Sequence, residues 1–496
     1  MRNRSRAFWI VAGLTLLGAA LRFATLGVQA YHHDEIVTAS RVLRVGFGHA
    51  MDAVGFSESA PPLYYALAWI WTQLTGNGEW GLRSLSALAG VATIPVAYLI
   101  ARELRGARAG VIAAALVAVN PMLLWYSQEA RAYSLLGFFC ALSLLFCVRA
   151  LRDGGLRRDD KRDFVWWGVF SALALATHYF AVFPLVAEVL LLARRRGRAI
   201  LSGLWIVALA VVLLAPLAIH QMSYGHAEWI GKFTLGHRLG EAAITFMIGE
   251  TGDIIGRTEH AGPALAPLAL ALAGLALLIV RGSRGERRAA SVPLAVAAVT
   301  VGIPLLLAIL FVGKDFVLTR NLLPALVPLL VGVAVALSVK RARRLGTAVA
   351  VVLVAYSFAF SIWASADPDL QRPDWRAVAH HLGEPDGPRA TVTWVLGEAP
   401  LRFYLSTGAI QLKAVEGYDW LVREITFVSM GEVPPPSRRL LGPGFRETGS
   451  EEVGPLFIRR YRLPGPELAP LRLRLLRHAR TNFRNNGVLL DGVGPG

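Results

Sequence analysis

Charge is scarce in this chain. Asp, Glu, Lys and Arg make up only 17% of its 496 residues, 55% are hydrophobic, and the mean hydropathy is +0.49. A soluble protein of that length needs far more polar residues to cover its surface, so a soluble globular class is excluded. Cysteine is scarcer still: Cys140 and Cys147 are the only two, both inside one apolar run. Seven helical residues set them about 10 Å apart along the axis, too far for a disulfide. They read as packing residues and say nothing of redox compartment. No internal repeat is evident, which disfavours inverted-repeat transporter folds. Acidic residues are outnumbered, 34 against 51 Lys and Arg, for a net charge of +17. The basic residues stand in short clusters between apolar runs, where they set topology and touch anionic headgroups. The partner is therefore the lipid bilayer and not nucleic acid.

The apolar runs lie near 8–28, 80–101, 108–126, 133–151, 164–194, 200–220, 263–281, 289–312, 317–339 and 345–364. Each approaches the roughly 20 residues that a helix needs to cross a ~30 Å hydrocarbon core. The run from Phe164 to Ala193 has basic residues at both ends, Arg157, Arg158, Lys161 and Arg162 before it and Arg194, Arg195, Arg196 and Arg198 after it. Basic flanks belong in the cytoplasm, so this run enters and returns, turning near His178-Tyr179. That makes about eleven transmembrane helices. With the N-terminus cytoplasmic, Arg102, Arg105, Arg108, Arg281, Arg284, Arg287, Arg288, Lys340, Arg341, Arg343 and Arg344 all fall inside. The acid-rich loops, with Asp34, Glu35, Asp52, Glu58, Glu79, Glu129, Glu228, Glu250 and Asp253, fall outside. Arg2, Arg4 and Arg6 before Phe8–Leu21, with Val28-Gln29-Ala30 after, resemble a signal peptide; an uncleaved first span is the preferred reading, because the basic flank agrees with this topology and the candidate chemistry begins directly after Ala30. The expectation is a multi-pass protein of a bacterial-type inner (plasma) membrane, with residues 1–364 as the transmembrane domain and 29–79 as a long first outer loop.

After about Ala364 the composition changes. Residues 365–465 mix turn residues and charges with β-like runs at Ala390–Val395 and Leu456–Arg462 and a helical stretch at Trp375–Leu382. This predicts a small extracytoplasmic α/β domain. Residues 466–496 read as a basic tail, with Arg472, Arg474, Arg477, Arg480 and Arg484, ending in glycines.

The polar outliers gather at the outer interface. Tyr31-His32-His33-Asp34-Glu35 stands where the first span leaves the membrane. An aspartate there could deprotonate an acceptor hydroxyl; the alternative is an acidic pair at a helix N-terminus. Glu58-Ser59-Ala60-Pro61-Pro62-Leu63-Tyr64-Tyr65 leads into an aromatic helix through Trp69 and Trp71. Its prolines suit a helix start and its aromatics the headgroup zone. Arg131, in Ser127-Gln128-Glu129-Ala130-Arg131-Ala132-Tyr133, is a lone outer arginine at a helix start. It is placed either to bind phosphate or to snorkel beside Glu129. Arg320, before Pro324, poses the same choice, and Arg22 within the first span must face the bundle interior.

In this order and with this shared sidedness, the motifs resemble the GT-C glycosyltransferases of the protein O-mannosyltransferase and lipid A aminoarabinose transferase type, glycosyltransferase family 39 and its relatives. The outer domain, opening Pro373-Asp374-Trp375-Arg376, adds a looser match. The resemblance implies a GT-C α-helical polytopic fold. It also implies inverting transfer of a sugar from a polyprenyl-phosphate donor to a hydroxyl on a protein, lipid or glycan acceptor. It assigns Asp34 as catalytic with Glu35 beside it, and Glu58, Tyr64, Arg131, Tyr133, His178 and Arg320 as substrate-binding. Some relatives carry Lys or His just before the Pro-rich helix, where Ser59 and Ala60 stand here. Another cation, Lys232 or Lys314, would then complete phosphate binding. No cofactor is required; a divalent metal stays open, since His32, His33, Asp34 and Glu58 offer N and O ligands.

Two other classes compete. A transporter or flippase would concentrate ionisable residues at mid-membrane with broken, paired helices. A scaffold presenting residues 365–465 gives no reason for so elaborate a first loop.

Overall fold

The computed structural model describes residues 2–43, 46–152, 158–224, 230, 233–250, 261–311, 315–405, 408–412, 420–472, 476–477 and 486–492. The chain divides into two compact units, Met1–Leu26 with Arg41–Ala366, and Gly27–Ser40 with Asp367–Gly496.

The first unit is helical because hydrocarbon offers no partner to an unsatisfied backbone group. Among the described residues, eight helical stretches are long and apolar enough to cross a membrane, or nine if the bent pair Ala107–Val119 and Pro121–Ser127 is one span. One of the eight, Tyr179–Met222, contains two helices, Val182–Arg196 and Leu201–Met222. The apolar run around residue 178 is broken as its flanking charges require: a helix ends at Thr177, and a 3-10 turn, Tyr179–Ala181, leads into the next. The basic clusters sit at helix ends, as at Arg102 and Arg105, Arg194–Arg196, and Arg281.

The 57° bend has a local cause. Pro121 has no amide hydrogen to continue the preceding helix, and the Asn120 side chain accepts the Leu123 amide at 3.0 Å to start the next. The bend strands the last carbonyls of Ala107–Val119, and Arg22 takes them. Fully buried, Arg22 donates to the carbonyls of Ala118 and Gly18 at 3.0 Å, to that of Val117 at 3.1 Å, and to Ser127 Oγ at 3.1 Å. The cation inside the first span thus ties three helices at a kink. Helix Glu79–Arg105 passes so close that a Cβ on Gly90 would lie 2.1 Å from Ser127 Oγ and 2.9 Å from Arg22 Nε. Helix Leu326–Leu337, apolar all round, is buried at the centre of the bundle.

In the second unit the strands are β1 (Arg389–Trp394), β2 (Ile410–Gln411), β3 (Leu421–Val422), β4 (Glu424–Met430), β5 (Arg446–Val453), β6 (Leu456–Arg462), β7 (Ala469–Pro470) and β8 (Asn486–Asp491). Six form one sheet in the order β2-β8-β1-β4-β6-β5; β1 and β4 run parallel and the other pairs antiparallel. The core lies on Ala390, Val392, Ile425, Phe427, Tyr461, Val488 and Leu490. Composition sets a tail apart beyond 465, but β8 pairs with β1 along its whole length, Arg389 opposite Asp491 through Trp394 opposite Asn486. A buried ion pair, Arg389–Asp491 at 2.5 Å, closes that register. Residues 466–496 therefore belong in part to the sheet. Arg474, Arg480 and Arg484 lie outside the described residues.

Candidate active site

In the first unit, the Pro-rich turn and the Ser127–Tyr133 turn are brought together by a salt bridge. Glu58, the residue that ends helix Phe47–Ser57, meets Arg131 at 2.9 Å, with side chains 2% and 14% exposed. Arg131 thus pairs with Glu58, and its backbone amide donates to the Glu129 carbonyl at 2.8 Å. The other Glu58 oxygen, Oε1, is buried as well. Arg131 stands one residue before the N-cap of helix Tyr133–Ala150, whose first amides have no side-chain cap. Its turn is fixed from below: Ser86 Oγ donates to the Arg131 carbonyl at 3.2 Å, and Ser134 Oγ donates to the Ser86 carbonyl at 2.8 Å. Gln128 Nε2 reaches the end of the first span, donating to Thr25 Oγ1 at 2.7 Å and the Arg22 carbonyl at 3.1 Å.

Aromatic side chains pack against one another on the neighbouring elements. Tyr64 and Tyr65 are fully buried on helix Leu63–Thr75, their ring centroids 5.4 Å apart. Burial holds the Tyr65 phenol well above its ordinary pKa; Arg131 opposes that shift and Glu58 reinforces it. Tyr133 packs edge-on to Tyr126 at 5.1 Å and lies 5.6 Å from the His178 ring. The Tyr126 hydroxyl donates to Glu250. Arg320 sits on the 3-10 turn Thr319–Ala325. Asp315 holds the lead into that turn, gripped by both Arg238 Nη groups at 2.6 and 2.5 Å, and this pairing keeps the Asp315 carboxyl below its usual range.

His178 lies within electrostatic reach of both Arg131 and Arg320. Its Nδ1 accepts the Phe180 amide at 3.3 Å. Burial, and then the charges of Arg131 and Arg320, push its imidazole down to about 3. The folded protein thus binds fewer protons at His178 than the unfolded chain does below its ordinary value of 6.5. The sign follows: this residue costs nothing above that pH, and stability falls as pH drops from there toward the folded value. His178→Asn keeps an acceptor for the Phe180 amide and removes the titration. Between about pH 7 and about pH 5 its thermal midpoint in detergent is expected to fall less than that of the wild type.

Asp34 and Glu35 belong to the second unit. They stand on the one-turn helix His33–Ile36, capped by His32. Asp34 is half-buried, whereas Glu35 is fully buried, with Oε2 accepting the His32 amide at 3.0 Å and facing Arg372 at 3.9 Å. Glu35 is thus engaged in holding its own turn, and of the two carboxylates Asp34 is the more open. Sequence reasoning put no role on Tyr65, Tyr126, Glu250 or Arg238; the doubled tyrosine after Pro61-Pro62 is the only local signal for any of them. Lys232 and Lys314 lie outside the described residues. Among the described residues, no three His, Cys, Asp or Glu side chains are grouped to hold a metal ion.

Residues 59–220 match the family model of dolichyl-phosphate-mannose-protein mannosyltransferases, in agreement with the resemblance drawn from the motifs. YkcB of Bacillus subtilis, whose name proposes a mannosyltransferase, is 26% identical over 242 residues, covering 47% of this chain and 34% of that protein. The chain thus spans about a third of this curated relative. Among solved structures, ArnT from Cupriavidus metallidurans bound to undecaprenyl phosphate is similar with a TM-score of 0.40 and 16% identity, over 92% of this chain and 99% of that one. The Archaeoglobus fulgidus oligosaccharyltransferase in its apo form gives a TM-score of 0.47 and 15% identity, over 81% of this chain and 60% of that one.

Proposed function

We propose that this chain, with residues 59–220 matching the dolichyl-phosphate-mannose-protein mannosyltransferase family, transfers a sugar from a polyprenyl-phosphate donor to a hydroxyl acceptor with inversion, on the outer face of the membrane. The observation that supports this best is a guanidinium held by a buried carboxylate at the start of an 18-residue helix, with His178 within electrostatic reach of both this arginine and Arg320. Such a place favours a phosphate, combining fork geometry with the positive end of the helix. In this reading Arg131 and Arg320 meet the phosphate, with Glu58, Tyr64, Tyr133 and His178 around the donor. Asp34 takes the acceptor proton. The acceptor oxygen forms its bond to the anomeric carbon as the bond from that carbon to the phosphate oxygen breaks. Polyprenyl phosphate leaves with the electron pair, and arginines stabilise the charge that develops on it.

A phosphate leaves without protonation, so one carboxylate suffices, in contrast to the two of glycoside hydrolysis. In this reading the arginines carry the charge on the leaving phosphate without a metal, and the expected result with excess chelator is unchanged turnover. The direct test is release of polyprenyl phosphate by the purified protein from a panel of polyprenyl-phosphate sugars, with cell extract supplying protein, lipid and glycan acceptors. Release from one donor identifies reaction class and sugar together. Movement of donor across vesicle membranes without release favours the flippase alternative.

A further inference from the structure

Three tethers bracket Asp34, and all of them start from the same small unit, Gly27–Ser40 with Asp367–Gly496. Before it, Arg376 Nη2 donates to the Val28 carbonyl at 2.8 Å. The Tyr31 amide donates to the Tyr404 hydroxyl at 2.7 Å, and the Tyr31 ring packs edge-on against Phe403 at 5.8 Å. After it, Glu35 faces Arg372 at 3.9 Å, with side chains 0% and 3% exposed. The Glu35 carboxylate also takes the His32 amide, so the oxygen that Arg372 faces at 3.9 Å is the one that closes the turn carrying Asp34.

The frame behind the tethers is closely packed. Arg376 lies on helix Trp375–Leu382 and Tyr404 ends helix Val395–Tyr404. Asp374 starts the first of these by accepting the Ala377 amide at 3.0 Å. Trp375 packs on Trp394 at 4.8 Å, and the second helix comes so near that a Cβ on Gly397 would stand 2.2 Å from the Trp375 ring. Trp394 is the last residue of β1, so both helices are referenced to the sheet. A guanidinium and a carboxylate so deeply buried are each costly without the other, and neither can swing to solvent.

On the assignment of Asp34 as the base that takes the acceptor proton, we infer that Arg372 and Tyr404 are positioning residues for it, acting through Glu35 and the Tyr31 amide. The α/β unit is then part of the transfer machinery. Glu35 is not a second base: its carboxylate aligns the turn.

The test has two readouts on the full-length protein in detergent. The first is amide hydrogen exchange, which requires no turnover. In Arg372→Met and Tyr404→Phe, exchange at residues 31–37 is expected to rise by about tenfold while β1 amides keep their protection. Unchanged exchange at 31–37, or an equal rise across β1, overturns the positioning role. The second is steady-state transfer. Arg372→Met is expected to lower kcat by about a hundredfold at nearly constant donor KM, the scale of a small misplacement of a reacting group, with Arg372→Lys recovering much of the loss. The same substitution made on Asp34→Asn is expected to add nothing further, because there is no base left to position. Losses that multiply place Arg372 elsewhere in the reaction. If the wild type releases polyprenyl phosphate from no donor, the base assignment falls, and the exchange result still decides whether the turn is held from the α/β unit.

Discussion

Asp34→Asn is expected to abolish release of polyprenyl phosphate, lowering kcat by about a thousandfold, within the range that general-base catalysis contributes. The substitution is nearly isosteric, and the turn that carries residue 34 is held by other groups: the His32 cap, Glu35 on the His32 amide, and Tyr404 on the Tyr31 amide. Folding and the thermal midpoint should therefore stay close to wild type. The difference is chemical, since an amide oxygen cannot take the proton that the acceptor hydroxyl loses as it attacks. Donor KM should change little, because the phosphate and sugar are assigned to Arg131, Arg320 and the residues named with them. A donor analogue that binds without reacting should be retained equally by both proteins. Full activity in a folded Asp34→Asn protein would remove the assignment outright. A large rise in donor KM with kcat unchanged would move residue 34 from proton transfer to donor binding.

Much of this was legible along the chain because its physics is local. Apolar runs need helices in lipid, and charged flanks placed the break near His178, where a helix does end. Beyond Ala364, Trp375–Leu382 and Leu456–Arg462 have the boundaries that composition and alternation predict. What stayed hidden was set by pairing across long separations. Nothing in the sequence around Asn486–Asp491 announces a strand lying between β1 and β2, since that order is decided by which edges meet in three dimensions. The grouping of residues 27–40 with the sheet unit is equally non-local, resting on Arg372, Arg376 and Tyr404, more than 300 residues away. At the candidate site the motifs named Glu58 and Arg131 singly. Their ion pair was not visible, because Glu129, two residues from Arg131, is the partner that spacing suggests.

That pair sets the second large effect. Arg131→Met is expected to lower kcat/KM by at least about a hundredfold, as loss of a donor to developing charge does elsewhere. It should also destabilise the protein, because Glu58 would remain buried and charged with no counter-ion, a loss of about 3–5 kcal/mol for broken buried pairs. Either effect alone could explain an inactive variant, so the informative protein is the double substitution Glu58→Gln with Arg131→Met. Removing both charges relieves the orphaned carboxylate, and the thermal midpoint should recover toward wild type. If Arg131 serves only to neutralise Glu58, activity recovers with it. If Arg131 meets the donor phosphate, the double variant is stable and still inactive, and Glu58→Gln alone keeps appreciable turnover because the cation is still in place. Arg131→Lys should fall between, retaining charge without the two-pronged geometry that suits a phosphate. Stability and transfer measured on these four proteins separate the guanidinium as a structural counter-ion from the guanidinium as a phosphate ligand, and the second outcome is the one expected.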